Sequence, residues 1–325
     1  MDTNEGKNNN RDPRFRLAVV IPTKDRPGHL RALLTSLAQQ SRLPDEVVIV
    51  ASGGAESEAV ASEFECLPVR FIYDPSASTT CARNMGASAV NADIELIAFV
   101  DDDVVFERDA IERMVAFWET APDGVGGAGF NSRLGKLDKE TAMKWSLKPV
   151  QRWYRWFLGN RRQKKGSVLP NGFPVPYCPT DSTIEVRWLE TTAIVFRRGV
   201  LERYRFDEAF GGYDYLAFVD FTYSISKQFK LFVVGDAWFS HYSSPIRDSY
   251  ALGKKQILNR IYFVRKHPEL SLPRCLGALV LHTGFNLAVG LMLRDRGYFQ
   301  RVHGNLVGFI QAAMGRTEPA GGGIK

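Results

Sequence analysis

The sequence predicts an α/β fold, a doubly wound and mostly parallel sheet followed by a helical C-terminal region. Three observations predict it. Short apolar runs recur through residues 17–100, segments with helical spacing separate them, and the stretch from Ile246 onward is mainly helical in pattern. Strands that alternate with helices pair in parallel and are covered on both faces, so each strand reads as an unbroken apolar run. With 325 residues, 45% hydrophobic and 24% charged, the chain has enough apolar material for a sizeable core, and a disordered, collagen-like or coiled-coil protein is excluded.

The first run, Leu17-Ala-Val-Val-Ile21, ends at Pro22 as a buried strand would. Leu30, Leu33, Leu34 and Leu37 then fall on one helix face, with Pro27 and Gly28 punctuating the start. Val47–Val50 is a second strand, ended by Ser52-Gly53-Gly54; a polar, alanine-rich stretch precedes a third at Val69–Tyr73. Cys81–Asn91 reads as a helix and Ile94–Val100 as a fourth strand. Farther on, Gly124–Phe130 reads as a glycine-rich strand and Val186–Arg198 as ordered. Phe218–Phe229 is helix-like and Leu231–Val234 strand-like. The polar, asparagine-rich residues 1–14 read as a disordered tail without an apolar signal segment. Cys66, Cys81, Cys178 and Cys275 stand far apart, which argues against a disulfide framework or a cysteine zinc site and for a reducing compartment.

Sheets of this class bind ligands at the carboxyl ends of their strands. Asp101, Asp102 and Asp103 follow the fourth strand directly. Adjacent carboxylates repel one another unless something cationic neutralises them. A hard divalent cation would do so and would also bind phosphate oxygens. The competing reading is a helix N-cap with acidic complement to the dipole of the segment 108–118.

VVIPTKDRPGHLRALLTSLAQQ, CARNMGASA with FVDDDV, FDEAFGGY, and VDFTYSI with VVGDAWFSHYSSP occur in that order. Together they resemble family 2 glycosyltransferases, inverting enzymes with a GT-A fold, over about residues 15–245. The resemblance implies a nucleotide-diphosphate sugar donor, a glycan or lipid-linked acceptor, and Mn²⁺ or Mg²⁺ as cofactor. It implies Asp103 as a metal ligand, with Asp101 or Asp102 at the ribose or a metal-bound water and His241 as a second ligand. Pro22, Thr23, Asp25, Arg26, Ser52 and Arg83 match nucleotide-side positions. Glu190 and Thr191 match the acceptor-facing segment. Two departures stand out. Ala51 and Ser52 replace the aspartates that usually end the second strand, so the nucleotide base stays open. Ala217 and Phe218 stand where an acidic pair is common, leaving Asp220 as the expected base and Asp214 as its alternative.

Net charge is +6, but Thr141–Thr180 holds eight basic residues and no acid, so the remainder is slightly acidic. Trp145, Trp153, Tyr154, Trp156 and Phe157 interleave with that basic run, a composition suited to a membrane interface, an anionic lipid-linked acceptor, or packing on the domain. No nucleic-acid motif accompanies it. Leu276–Leu293 carries no formal charge and reaches the lower length limit for a membrane span, but His282, Thr283 and Asn286 favour a hairpin that packs on the body or lies on a membrane surface. The expected organisation is a tail (1–14), a catalytic domain (15–245, with the basic aromatic insert at about 141–180) and a helical region (246–325). The expected location is cytoplasmic or peripheral at the inner membrane face. Two rival functions are a sugar nucleotidyltransferase, for which PTKDRPG is a poor phosphate loop, and a catalytically degenerate glycan- or membrane-binding module.

Overall fold

The computed structural model describes residues 15–316 apart from 54, 77, 134–163, 191, 212–214 and 243–247. The aromatic part of the basic insert, Thr191 and Asp214 therefore lie outside the described residues. The first half of the chain alternates β1 (Leu17–Thr23), α1 (Pro27–Ala38), β2 (Glu46–Ala51), α2 (Ala55–Ser62), β3 (Val69–Tyr73), α3 (Thr79–Ala89) and β4 (Leu96–Val100). After these come β5 (Val104–Phe106), α4 (Ala110–Thr120), β6 (Val125–Arg133), β7 (Ile184–Val186), β8 (Ala193–Arg197) and a single helical turn, α5 (Arg198–Leu201). Then follow α6 (Ala217–Ile225), β9 (Lys230–His241) and three long helices, α7 (Ser249–Lys266), α8 (Leu272–Leu293) and α9 (Arg296–Ala313).

One sheet runs β3-β2-β1-β4-β8-β6-β9-β5, with β7 added on β9. Strands β3, β2, β1 and β4 are parallel, as predicted; beyond β4 the pairing is mixed, because β8 returns antiparallel to both β4 and β6. Side chains alternate between two apolar layers. Leu17, Val19 and Ile21 of β1 join Leu30, Leu34, Met114 and Trp118 on one face. Ala18 and Val20 join Ala82, Phe218, Ile257 and Phe263 on the other. Burial on both faces explains why these strands lack polar alternation.

Short elements escaped the sequence reading, among them α2, β5 and β7. Helix α2 falls in the stretch read only as polar and alanine-rich; it buries just Ser57, Val60 and Ala61, so its apolar face is too slight to signal a period. Strands β5 and β7 span three residues each, too short for alternation to register. The C-terminal helices share a core with the sheet: Ile257 and Ile261 of α7 and Leu279 of α8 lie in the same cluster as Phe218 and Phe221.

Candidate active site

Two strand registers gather the site. Val100, the last residue of β4, pairs with Ala193, and the next step is kept by the Asp101 N–H donating to the Thr192 carbonyl at 2.9 Å. The chain just ahead of β8, which carries Glu190, therefore runs beside the acid triplet. On the other side Val104 pairs with His241, and the Tyr242 N–H donates to the Asp103 carbonyl at 2.9 Å. Antiparallel pairing thus brings residues far apart in sequence to the carboxyl ends of β1 and β4.

Each acid has its own cation. Arg83, buried on α3, holds Asp101 at 2.6 Å. Asp102 accepts from the Thr23 hydroxyl at 2.8 Å and from Arg26 at 3.2 Å. Asp103 meets His241 Nε2 at 3.1 Å and lies 3.5 Å from the same Arg26 nitrogen. Crowded like charges are tolerated because three basic side chains interleave with them.

The electrostatics divide the neighbours. Burial pushes the Asp102 carboxyl above its ordinary range, and Thr23 and Arg26 only partly offset it. Burial acts on Asp103 too, but there the His241 hydrogen bond and charge, with Arg26 and His29, prevail and hold it below the usual value. His241 is correspondingly raised: burial works against its charged form, yet Asp103, Asp101 and Glu190 outweigh that.

A residue absent from the sequence reading completes the cluster. One ring nitrogen of His29 and one oxygen each of Asp102 and Asp103 lie within 4.8 Å of one another. His29 Nδ1 is buried with no hydrogen-bond partner among the described residues. A histidine nitrogen beside two carboxylates is a donor set that fits a divalent cation. The signal was faint, a histidine two residues after Pro27 in the first turn of α1.

The loops after β1 and β2 interlock. Pro22 and Thr23 are buried, and the Ser52 N–H donates to the Thr23 carbonyl at 2.9 Å. Asp25 adopts φ 51°, and its carboxylate fills the space beside Gly53, whose φ is +139°. A Cβ at Gly53 would fall 2.2 Å from Asp25 Oδ1. Gly53→Ala is therefore expected to destabilise the protein by about 1–3 kcal/mol in urea unfolding; an unchanged midpoint would contradict this packing.

The expected base, Asp220, is engaged by two basic side chains. Asp220 is buried on α6, its Oδ2 accepting from Lys266 Nζ at 2.7 Å and its Oδ1 facing His267 Nε2 at 2.9 Å. Each oxygen already holds a contact that ties α6 to the end of α7. Phe218, where the family pattern has an acid, instead lies with its ring centroid 4.0 Å from the Arg83 guanidinium carbon. Glu190 is the contrasting carboxylate. It is half-buried, and no side chain hydrogen-bonds to it among the described residues. Burial raises its pKa, and the nearby His241 charge opposes this only in part. Its backbone N–H donates to the Tyr177 hydroxyl, and the Leu189 N–H to Thr222 at 3.1 Å, which fixes the segment.

A nine-stranded α/β sheet with an acid cluster at the carboxyl ends of its parallel strands defines a GT-A fold. The family described as Glycosyl transferase family 2 matches residues 18–176, just under half of the chain. An uncharacterized glycosyltransferase of Haemophilus influenzae is 28% identical over 126 residues, which are 38% of this chain and 47% of that protein. The uncharacterized glycosyltransferase YwdF of Bacillus subtilis is 32% identical over 108 residues, 33% of this chain and 40% of the relative. The matched stretch thus spans less than half of either relative. Among solved structures, S. aureus TarS 1-349 in complex with UDP-GlcNAc aligns with TM-score 0.50 at 16% identity, over 93% of each chain. The Pyrobaculum calidifontis mannosyltransferase PcManGT, in complex with GDP-Man and Mn²⁺, aligns with TM-score 0.52 at 15% identity, over 94% of this chain and 88% of that one. At these identities the likeness is one of fold.

Proposed function

We propose that the protein is an inverting, divalent-cation-dependent glycosyltransferase that moves a sugar from a nucleotide-diphosphate donor to a hydroxyl of a glycan or lipid-linked acceptor. The observation that carries this reading is the convergence of His29, Asp102 and Asp103 at the rim of the parallel strands. These residues, with His241 beside Asp103, would hold Mn²⁺ or Mg²⁺. Such a cation neutralises the negative charge of a departing nucleoside diphosphate.

The chain's own residues supply the rest. Arg26, half-buried beside Asp102 and Asp103, adds positive charge where phosphates would sit, and Arg83 orients Asp101. Thr23 fixes the rotamer of Asp102, and Pro22, Asp25 and Ser52 shape the nucleotide side. Inversion needs one carboxylate to take the acceptor proton as the acceptor oxygen bonds to the anomeric carbon. The bond from that carbon to the diphosphate breaks in the same step, and the nucleoside diphosphate leaves with the electron pair. Glu190 is the carboxylate best suited, being half-buried, raised in pKa and without a side-chain hydrogen bond among the described residues. Asp214 is the alternative, and Thr191 an acceptor contact. All four cysteines are free thiols, in keeping with a cytoplasmic location.

The test is transfer or donor hydrolysis with UDP- and GDP-sugars in the presence of Mn²⁺. Glu190→Gln is expected to lower kcat about 10²–10⁴-fold with an unchanged melting temperature. Full activity in Glu190→Gln with a comparable loss in Asp214→Asn would move the base to Asp214. Absence of turnover across the donor panel, with no nucleotide bound, would overturn the enzyme assignment.

A further inference from the structure

We propose that the outer faces of α8 and α9 form a docking surface for an anionic lipid bilayer. Leu276, Val280, Leu287 and Leu291 are all exposed, Val280 and Leu291 by 61% and 62%. At 3.6 residues per turn these four side chains fall within about 60° of arc on α8. Leu281 and Met292 flank the stripe, and Gly277, Gly284 and Ala288 fill the space between, so from Leu276 to Met292 this face carries no polar side chain. Helix α9 continues it with exposed Phe299, Leu306 and Ile310, again on one stripe. The two helices touch where a Cβ at Gly290 would meet Tyr298 and Phe299 at 3.1 and 3.6 Å. Soluble surfaces scatter their apolar residues, and an exposed two-helix stripe marks an interaction site.

Charge selects the occupant. Between Leu272 and Arg316 there are five arginines and a single acid, Asp295, whose carboxylate caps α9 at the Gly297 N–H. Arg274 opens α8, Arg294 and Arg296 stand in the turn, and Arg316 follows α9. All four are exposed, and none makes an ion pair among the described residues. An apolar face with basic groups at both ends is complementary to acyl chains beneath anionic headgroups.

Helix α8 is also long and apolar enough to cross a membrane, with mean hydropathy 1.7 over its best window. Its inward face is tied down instead. Asn286 donates to Asn305 at 3.3 Å, and Asn305 donates to the Gly253 carbonyl of α7 at 2.8 Å. Cys275 and Leu279 lie in the sheet's core cluster. Pulling α8 into a bilayer would break both, so the helix lies along the surface.

This inference does not rest on the transfer reaction. The experiment is co-sedimentation of the full chain with vesicles of phosphatidylcholine alone or mixed with phosphatidylglycerol, at low and high salt. Binding to the anionic vesicles only, weakened by salt, is expected. Arg274→Ser, Arg296→Ser and Arg316→Ser should each weaken it about fivefold, and Leu291→Asp with Ile310→Asp at least about tenfold. The arginine variants guard against misfolding of the apolar ones, and Mn²⁺-dependent nucleotide binding should be unchanged in all. Equal binding to both vesicle types, no binding to either, or resistance to alkaline carbonate extraction would overturn the proposal. So would light scattering that finds a dimer abolished by Leu291→Asp, because a second copy would then be the occupant.

Discussion

Replacing Asp103 by alanine is expected to lower donor turnover by about two to three orders of magnitude while leaving the fold intact. The size follows from the loss of one preorganised electrostatic contact to charge that develops in the transition state. Asp103 is the acid on which the cluster turns. It lies within 4.8 Å of the His29 and Asp102 ligand atoms and hydrogen-bonds His241 at 3.1 Å. The fold should tolerate the change, because the stranded partner, His241, is 31% exposed in its side chain and can lose its proton to water. Asp102 should also gain, since a like charge beside it disappears while Thr23 and Arg26 remain. Turnover at saturating Mn²⁺, with circular dichroism on the same sample, checks both halves. Unimpaired turnover in the variant would remove the cation from the mechanism.

Asp220→Ala is expected to act on stability instead, costing about 3 kcal/mol and lowering the melting temperature by roughly 4–5 °C. The carboxylate is 2% exposed and sits between Lys266 at 2.7 Å and His267 at 2.9 Å. Lysine Nζ can only donate, so the 2.8 Å contact from Lys227 Nζ makes His267 Nδ1 an acceptor and leaves the Nε2 proton for Asp220. Removing the carboxylate strands a buried donor and a partly buried cation. The low end of the usual range applies because Lys266 keeps 35% of its side-chain exposure and a second partner, Asp207.

The same cluster sets a pH window. Burial opposes ionisation of Asp207, but Lys266 outweighs it and holds the carboxyl below its ordinary value of 3.8. Its stabilisation is therefore present above that value and lost as pH falls through the lower folded one. Lys266 lies above its ordinary 10.5, since Asp220 and Asp207 outweigh its burial, so its contribution fails only as pH rises through that higher value. The contribution of the Lys266–Asp207 pair should accordingly be flat across neutral pH. Asp220→Asn assayed well below its melting temperature should keep activity within about tenfold; a loss of about 10³ at unchanged stability would restore Asp220 as the base.

The parallel half of the sheet was legible because burial on two faces writes itself as apolar runs, as in Leu17–Ile21 and Val47–Val50. The acid triplet was legible because repulsion among adjacent carboxylates has no purely local remedy. Its partners were another matter. The pairing of Val100 with Ala193, which sets Glu190 beside the acids, is a long-range register that no local pattern encodes. For Asp220 the apolar neighbours in α6 announce burial, as a pKa-shifted base would, but give no sign of Lys266 and His267, which arrive from α7 and the residue after it. His29 was missed for the opposite reason, since a lone histidine in a helix's first turn carries no signal until the fold sets two carboxylates beside it.

Calorimetric titration of UDP and GDP into the wild-type protein, with Mn²⁺ or with excess chelator, tests the cation-and-diphosphate rim most directly. At least one nucleotide should bind in Mn²⁺, with affinity falling at least about tenfold in chelator and in Asp103→Ala. Equal affinity under all three conditions, or no binding of either nucleotide, would contradict the account.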